Sequence, residues 1–333
     1  MIDPDTRPTE PATPTPPVNP DAPARKTRLL RDYGVYAALL LLVVYNLIFT
    51  ENFASLTNVT TQLVQVTPIL IAALGMALVI GTEGVDLSVG SVMALSAALL
   101  PLYLGYGLVP ALVVALAGGV VCGLFSGTLV AVAGIQPIVA TLALLVGGRG
   151  LALVLADGRL KDIRNPALLE LGSGRVAGVP IVVLIAAGLT LLVGFLVRYT
   201  TFGRQLVAVG GNRSASAVAG LPVRRVLIVT YVLSGVLAAI AGVVATARLT
   251  ASDPSAIGQL AELAAITAVV VGGTPLSGGR VRILGTVAGA LLMQLISATL
   301  IKNNLPVSSS LIVQAVIIVL AVFLQRPRRG GAV

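Results

Sequence analysis

The chain has no tryptophan and no histidine, one cysteine, and few charges: of its 333 residues 11% are Asp, Glu, Lys or Arg and 4% are aromatic. Each shortage excludes something. Without histidine the commonest metal ligand and general base is missing, and neither a Cys/His zinc set nor a Ser-His-Asp set can be assembled. The lone Cys122, in VVCGLFSG, has no intrachain disulfide partner and reads as a small buried apolar residue rather than a reactive thiol. No GK[ST] occurs, so a Walker A phosphate loop is absent and ATP chemistry, if used, belongs to another chain. With no Trp, an interfacial aromatic belt rests on seven Tyr and six Phe. These absences argue against an enzyme and against a metal site.

What is there is apolar. Hydrophobic residues make up 56% of the chain and mean hydropathy is +1.00. Runs of about 20 apolar residues, long enough to cross a hydrocarbon core, recur between Tyr33 and Leu324. This predicts an all-α, polytopic membrane protein; the alternating ten-residue segments of a β-barrel are not found. Spans are expected at 34–49, 65–81, 87–105, 108–133, 137–155, 179–197, 226–248, 262–273, 284–301 and 307–324, about ten in all. The run at 262–273 is short and ends in glycines, the pattern of a broken or re-entrant helix. Gly and Ala crowd the spans, as in LAGGVVCGLFSG and LSGVLAAIAGVV, and such residues let helix backbones approach closely in lipid.

Three segments follow from this. Residues 1–32 read as a disordered cytoplasmic tail, Pro/Thr-rich to Pro23 and without the apolar core of a signal peptide. Residues 33–325 form the transmembrane domain, and 326–333 a basic cytoplasmic tail. With both termini inside, most of the 22 Lys and Arg residues fall on the cytoplasmic side, among them Arg25, Lys26, Arg28, Arg31, Arg204, Arg213, Arg224, Arg225, Arg326, Arg328 and Arg329. That is the bias of the positive-inside rule, so the net charge of +9 reflects the bilayer as partner and not nucleic acid. The loop at 156–178 fits least well: it is expected outside, yet carries Arg159, Lys161, Arg164 and Arg175, offset in part by Asp157, Asp162 and Glu170.

Several polar features interrupt the spans. GTEGVDLSVG (Gly81–Gly90) is a re-entrant turn at the inner side, with Glu83, Gly84, Asp86, Ser88 and Gly90 as candidate path residues. Asp86 precedes a helix and is expected to cap it. Glu83 either faces the aqueous inner mouth or pairs with a cation. Gln136-Pro137, also candidate path residues, read first as a helix-start device, with Pro in the first turn, and secondarily as a gate. Arg149 lies within a span, where a charge is expensive; it either snorkels to the interface near Asp157 or pairs with an acid lining a path. GGTPLSGG (Gly272–Gly279) has no following Lys and reads as a hinge or a site of close backbone packing. Asp253 and Glu262 flank an outer loop and either meet a partner or are merely solvated.

The longest cytoplasmic loop, 198–225, is organised. FGRQ leads into an apolar strip, GGN makes a turn, and SASAVAG suits a short helix capped by Asn212 or Ser214, ended by Gly220 and stopped by Pro222. An Ala-rich helix there either docks on a soluble partner or simply links two spans.

The loop resembles the cytoplasmic coupling segment of bacterial ABC-importer permeases of the ribose/galactose/xylose class. Gly203, Arg204, Ala208, Gly210, Asn212, Ala215 and Gly220 fit its pattern, with Gly211 beside them; Ser216 stands where the pattern has a second Ala. GVDLSVG, IQPIVATLALLVGGRG, TYVLSGVLAAIAGVV and AITAVVVGGTPLSGGR match further segments in order, so the resemblance spans 34–324 and is especially close to galactofuranose-type and ribose-type permeases. Glu83 departs from the signature, which usually has a small residue there. The resemblance implies a channel subunit of an importer, paired with a second permease, identical or paralogous. ABC ATPase subunits carrying Mg-ATP would dock on the inner loop, and a periplasmic binding protein would deliver a monosaccharide. It also opens a direct sugar contact as an alternative role for Asp86. Two other readings compete: an ion-coupled secondary transporter with Glu83 and Asp86 as coupling acids, and an ABC permease for another small polar solute such as a nucleoside.

Overall fold

The computed structural model describes residues 22–304 and scattered positions between 306 and 319. In chain order the elements are α1 (Ala22–Phe49), α2 (Leu56–Gly81), α3 (Val89–Tyr103, extended by a 3₁₀ turn to Tyr106), α4 (Leu108–Ala131), α5 (Pro137–Leu155), β1 (Lys161–Asp162), α6 (Pro166–Ser173), β2 (Arg175–Val176), β3 (Val179–Pro180), α7 (Ile181–Tyr199), α8 (Thr201–Gly211), α9 (Arg213–Val218), α10 (Val223–Leu249), β4 (Ala251–Ser252), α11 (Ala261–Val271) and α12 (Ile283–Lys302). The only strands among the described residues are two short antiparallel pairs, β1 with β4 and β2 with β3.

Among the described residues seven helices are long and apolar enough to cross a membrane: α2, α3 with its 3₁₀ turn, α4, α5, α7, α10 and α12. The apolar part of α1, Tyr33–Phe49, and α11 are shorter. The last expected span, 307–324, and the tail at 326–333 lie largely or wholly outside the described residues.

Two boundaries depart from the sequence reading. α1 starts at Ala22, inside the segment read as a disordered tail: Pro23 falls in its first turn, where a missing N–H is no loss, and ARKTRLL is built of good helix formers. α2 starts at Leu56, well before the apolar run at 65. Ser55 accepts a hydrogen bond from the Asn58 N–H at 3.3 Å, and its first turns (Thr57, Thr60, Thr61, Gln62, Gln65) are polar, so apolar run length misses them.

α10 lies at the centre, packed against α4, α2, α3 and α6. Its closest neighbour is α4, and the reason is a row of small residues. Gly119, Gly123 and Gly127 recur every four residues on one face, against the α10 backbone at Gly235, Tyr231 to Val232 and Ile228. A Cβ on Gly127 would stand 3.0 Å from the Ile228 Cα, so side chains there would push the helices apart. Cys122 is buried beside this row.

The bundle has two ends. At one, α8, α9 and the 272–282 segment meet the end of α2. At the other, the hairpin β2–β3, α6 and the β1–β4 pair form a lid over the helix ends, with Ile163 and Leu168 buried against α3, α4 and α10. The basic loop at 156–178 is this lid.

Candidate functional site

At the α8–α9 end the backbone is drawn into a junction. Gly210 of α8 lies directly on the Gly81 carbonyl that ends α2, with no room for a Cβ. The Gly279 N–H donates to the same carbonyl at 3.0 Å, and Leu206 and Val281 cover Gly81. Arg213, at the start of α9, donates from Nη2 to the Thr82 carbonyl at 2.8 Å. Two segments far apart in sequence, 206–213 and 279–281, thus converge on the residues that open GTEGVDLSVG.

Both α8 and α9 are capped as their sequences dictate. Thr200 Oγ1 accepts from the Gly203 N–H at 3.3 Å, and Asn212 Oδ1 from the Ala215 N–H at 2.9 Å. Gly220, at φ +77°, ends α9, a conformation that glycine adopts without strain. α8 is a full helix where an apolar strip is expected: Gly203, Leu206, Val209 and Gly210 form its buried face, while Arg204 and Ala208 are exposed. α9 rests on the bundle through Ser216, which is buried, and turns its other side outward. Gly211, Asn212, Ala215, Ala217 and Ala219 are exposed, and Val218 is 91% exposed.

Glu83 and Asp86, three residues apart, have opposite surroundings. Glu83 is exposed and its backbone is left-handed at φ +63°, which explains why a small residue, often Gly, suits this position of the signature. Asp86 is buried. Its Oδ1 accepts from the Ser88 N–H at 3.0 Å and the Ser88 hydroxyl at 2.5 Å, and its Oδ2 from the Ser234 hydroxyl of α10 at 2.7 Å. This corrects the helix-cap expectation. α3 starts at Val89, the cap position is Ser88, and no side chain caps it; Asp86 lies two residues too early and instead ties the turn to α10. Thr141 of α5 donates to the Val85 carbonyl at 3.2 Å, and Ser91 to the Leu144 carbonyl at 3.1 Å. Tyr231 of α10, wholly buried, covers Gly84, where a Cβ would stand 2.8 Å from its hydroxyl. The turn therefore clamps α3, α5 and α10 together. Gln136 and Pro137 start α5 as expected, and Gln136 is exposed with no side-chain capping bond.

Arg149 solves a different problem. α11 has 11 residues, which rise only about 16 Å. The segment before it, 253–260, therefore runs as irregular chain into the bundle until Gly258 touches Gly90, roughly 20 Å along α3 from Tyr103. Irregular backbone at such depth needs partners for its polar groups. Arg149 supplies them: Nη1 donates to the carbonyls of Pro254 (2.9 Å) and Ile257 (2.8 Å), and Nη2 to that of Gly258 (2.9 Å). Its partners are thus carbonyls of the re-entrant loop and not Asp157. Glu262 lies against Gly90 with its buried Oε2 unpaired among the described residues, and Asp253 turns the loop by accepting from the Ser255 and Ala256 N–H groups.

The structure joins the 198–225 loop and the turn into one assembly and sets Arg149 apart from both, on the far side of Gly90. Tyr231, Ser234, Arg213 and Gly258 carry contacts that reading the sequence alone passes over, while Gly272 and Gly279 show the close backbone packing expected of GGTPLSGG. Arg213 beside the capping Asn212 was the one with a local signal. No group of three or more His, Cys, Asp or Glu able to hold a metal occurs among the described residues.

Residues 58–322 match the family described as branched-chain amino acid transport system / permease component. The chain is 40% identical to the galactofuranose transporter permease protein YtfT of Escherichia coli over 78% of this chain and 77% of that one. It is 38% identical to the ribose import permease protein RbsC of Escherichia coli, over 88% and 92% of the two chains. It is 32% identical to the L-arabinose ABC transporter permease protein AraH of Azospirillum brasilense, over 93% of each. No solved structure matches. This multi-pass membrane protein therefore belongs to the permease-component family, alongside those sugar permeases.

Proposed function

We propose that the chain is the membrane subunit of an ATP-binding-cassette importer for a monosaccharide. The relatives named above are permeases for sugars, although the family description speaks of amino acids. The observation that carries the assignment is α9: a short, capped helix whose Ala and Val side chains project from the bundle while its first residue, Arg213, is bonded to Thr82. Exposed apolar residues on a helix at a bundle end suit insertion into a groove of a soluble partner. That partner is the ATPase subunit carrying Mg-ATP, which places the α8–α9 end, and with it both termini, in the cytoplasm of a bacterium with the chain in its inner membrane. The lid end then faces the periplasmic sugar-binding protein. The bilayer is crossed about ten times, counting α1, α11 and the final apolar run, and a second permease subunit, identical or paralogous, completes the path.

Movement of α9 reaches the spans through Arg213–Thr82 and, by way of α8, through Gly210 on Gly81, and the turn passes it to α3, α5 and α10. In this reading Asp86 is a fastener, and Gly203, Arg204, Ala208, Gly210, Gly211, Asn212, Ala215 and Gly220 shape the docking loop. The secondary-transporter reading needs two acids that act together within the membrane; the exposure of Glu83 and the three donors on Asp86 speak against it. A Val218→Cys variant, co-expressed with its ATPase subunit, is expected to cross-link to that subunit with a short thiol–amine reagent. Cross-linking from Leu102→Cys instead, with none from Val218→Cys, would overturn the docking assignment.

A further inference from the structure

The polar start of α2 has a counterpart across a cavity. Thr57, Thr61 and Gln65 recur every four residues, so they form one ridge, and all three are exposed. Gln65 lies about 13 Å along the helix from Leu56, and Gln294, which donates to its Oε1 at 2.7 Å, lies about 12 Å from Lys302 at the same end of α12. Polar side chains exposed at that depth fit a water-filled path, not a lipid-facing surface. A cavity of about 300 Å³ opens beside the ridge, lined by Thr57, Thr60, Thr61 and Gln65 together with Ser173, Arg175 and Arg248.

The hydrogen-bonding inventory of this lining is specific. Thr61 spends its proton on the Thr57 carbonyl and Ser173 on the Leu169 carbonyl, each at 2.8 Å, so both oxygens are left as acceptors. Gln65 accepts through Oε1, which leaves its amide N–H groups as donors, and the two guanidiniums donate only. No carboxylate lines the cavity. Such a wall offers both donors and acceptors to hydroxyl groups, which themselves donate and accept. An amino acid would bring an ammonium group, for which the wall holds no counter-charge. The volume lies at the lower end of small-molecule sites.

We propose that this cavity is a hydroxyl-recognising station for a polyhydroxylated, uncharged ligand of monosaccharide size, the first the ligand meets inside the mouth at the lid end. The proposal rests on the importer reading, and names the residues that hold the cargo on entering.

The test reconstitutes the complete importer, with its ATPase subunits and binding protein, in proteoliposomes and measures sugar accumulated per ATP hydrolysed. Radiolabelled ribose, fructose and galactose serve as probes, and the one that the wild type accumulates is used. The double variant Thr61→Val with Gln65→Leu is expected to lower that ratio about tenfold or more, the effect of losing one or two hydrogen bonds to cargo. Thr61→Ser with Gln65→Asn is expected to restore most of it, which separates the role from mere folding. In a second arm, Thr61→Cys and Gln65→Cys are expected to react with an impermeant methanethiosulfonate added at the lid side, and Val59→Cys, in the apolar groove by α1 and α12, is not. An unchanged ratio overturns the station. So does a fall of uptake and stimulated hydrolysis in step, which would mark a docking surface for the binding protein. A wild type that accumulates no sugar overturns the importer reading itself.

Discussion

Ala215→Glu is expected to cut uptake by the assembled importer roughly 30-fold or more while the protein still inserts and reaches its normal level in the membrane. Ala215 is exposed on α9 and its N–H is the one bonded to Asn212, so the backbone of the helix survives the change. What is lost is the smooth surface that a partner groove must close over. Burying an unpaired carboxylate at the centre of such a contact costs at least about 2 kcal/mol, and each 1.4 kcal/mol is tenfold in affinity. Gly220→Arg is expected to act in the same direction, because it also forces a bulky residue into a φ of +77°. Uptake assays beside quantitative immunoblots of membranes check this; normal uptake by both variants would show that α9 only links α8 to α10.

Arg149→Leu is expected to lower the thermal unfolding midpoint in detergent more than any other single change at the site, and to abolish uptake. Removing the guanidinium strands the carbonyls of Pro254 and Ile257 in a loop packed on α3 and leaves that of Gly258 only the Ala261 N–H, at 3.3 Å. Each unsatisfied group costs about 1–3 kcal/mol, a large share of the stability of an ordinary domain, about 5–15 kcal/mol. Arg149→Lys is expected to recover little, because an ammonium cannot present the fork that serves three carbonyls at once. A midpoint unchanged in Arg149→Leu, measured by differential scanning fluorimetry on the thiol of Cys122, would contradict the clamp.

The spans were legible because lipid leaves a one-dimensional signal, length and apolarity, and α5 and α12 fall within a residue of their expected limits at 137–155 and 284–301. Where water returns, that signal fades. The polar first turns of α2 and the helical start of α1 were missed for that reason, and α8 was read as a strip because Gly210 and Gly211 mask a helix whose buried face packs on Gly81. The short α11 was read correctly as broken. Long-range contacts were the least legible part. GTEGVDLSVG announced a turn, but nothing local says that Asp86 meets Ser234, 148 residues away, or that Arg149 meets carbonyls 105 to 109 residues on. The glycines carried more than they showed: Gly81, Gly90, Gly210 and Gly258 mark backbones that touch.

The central claim is that this chain is a conduit with no energy source of its own, set in motion from α9. Proteoliposomes containing the purified chain alone, and others containing it with its ATPase subunits and binding protein, test that most directly when loaded with ATP and offered labelled sugar. The account predicts no accumulation by the chain alone, ATP-dependent accumulation by the complex, and indifference of that accumulation to an uncoupler. Accumulation by the chain alone that an uncoupler collapses would contradict it.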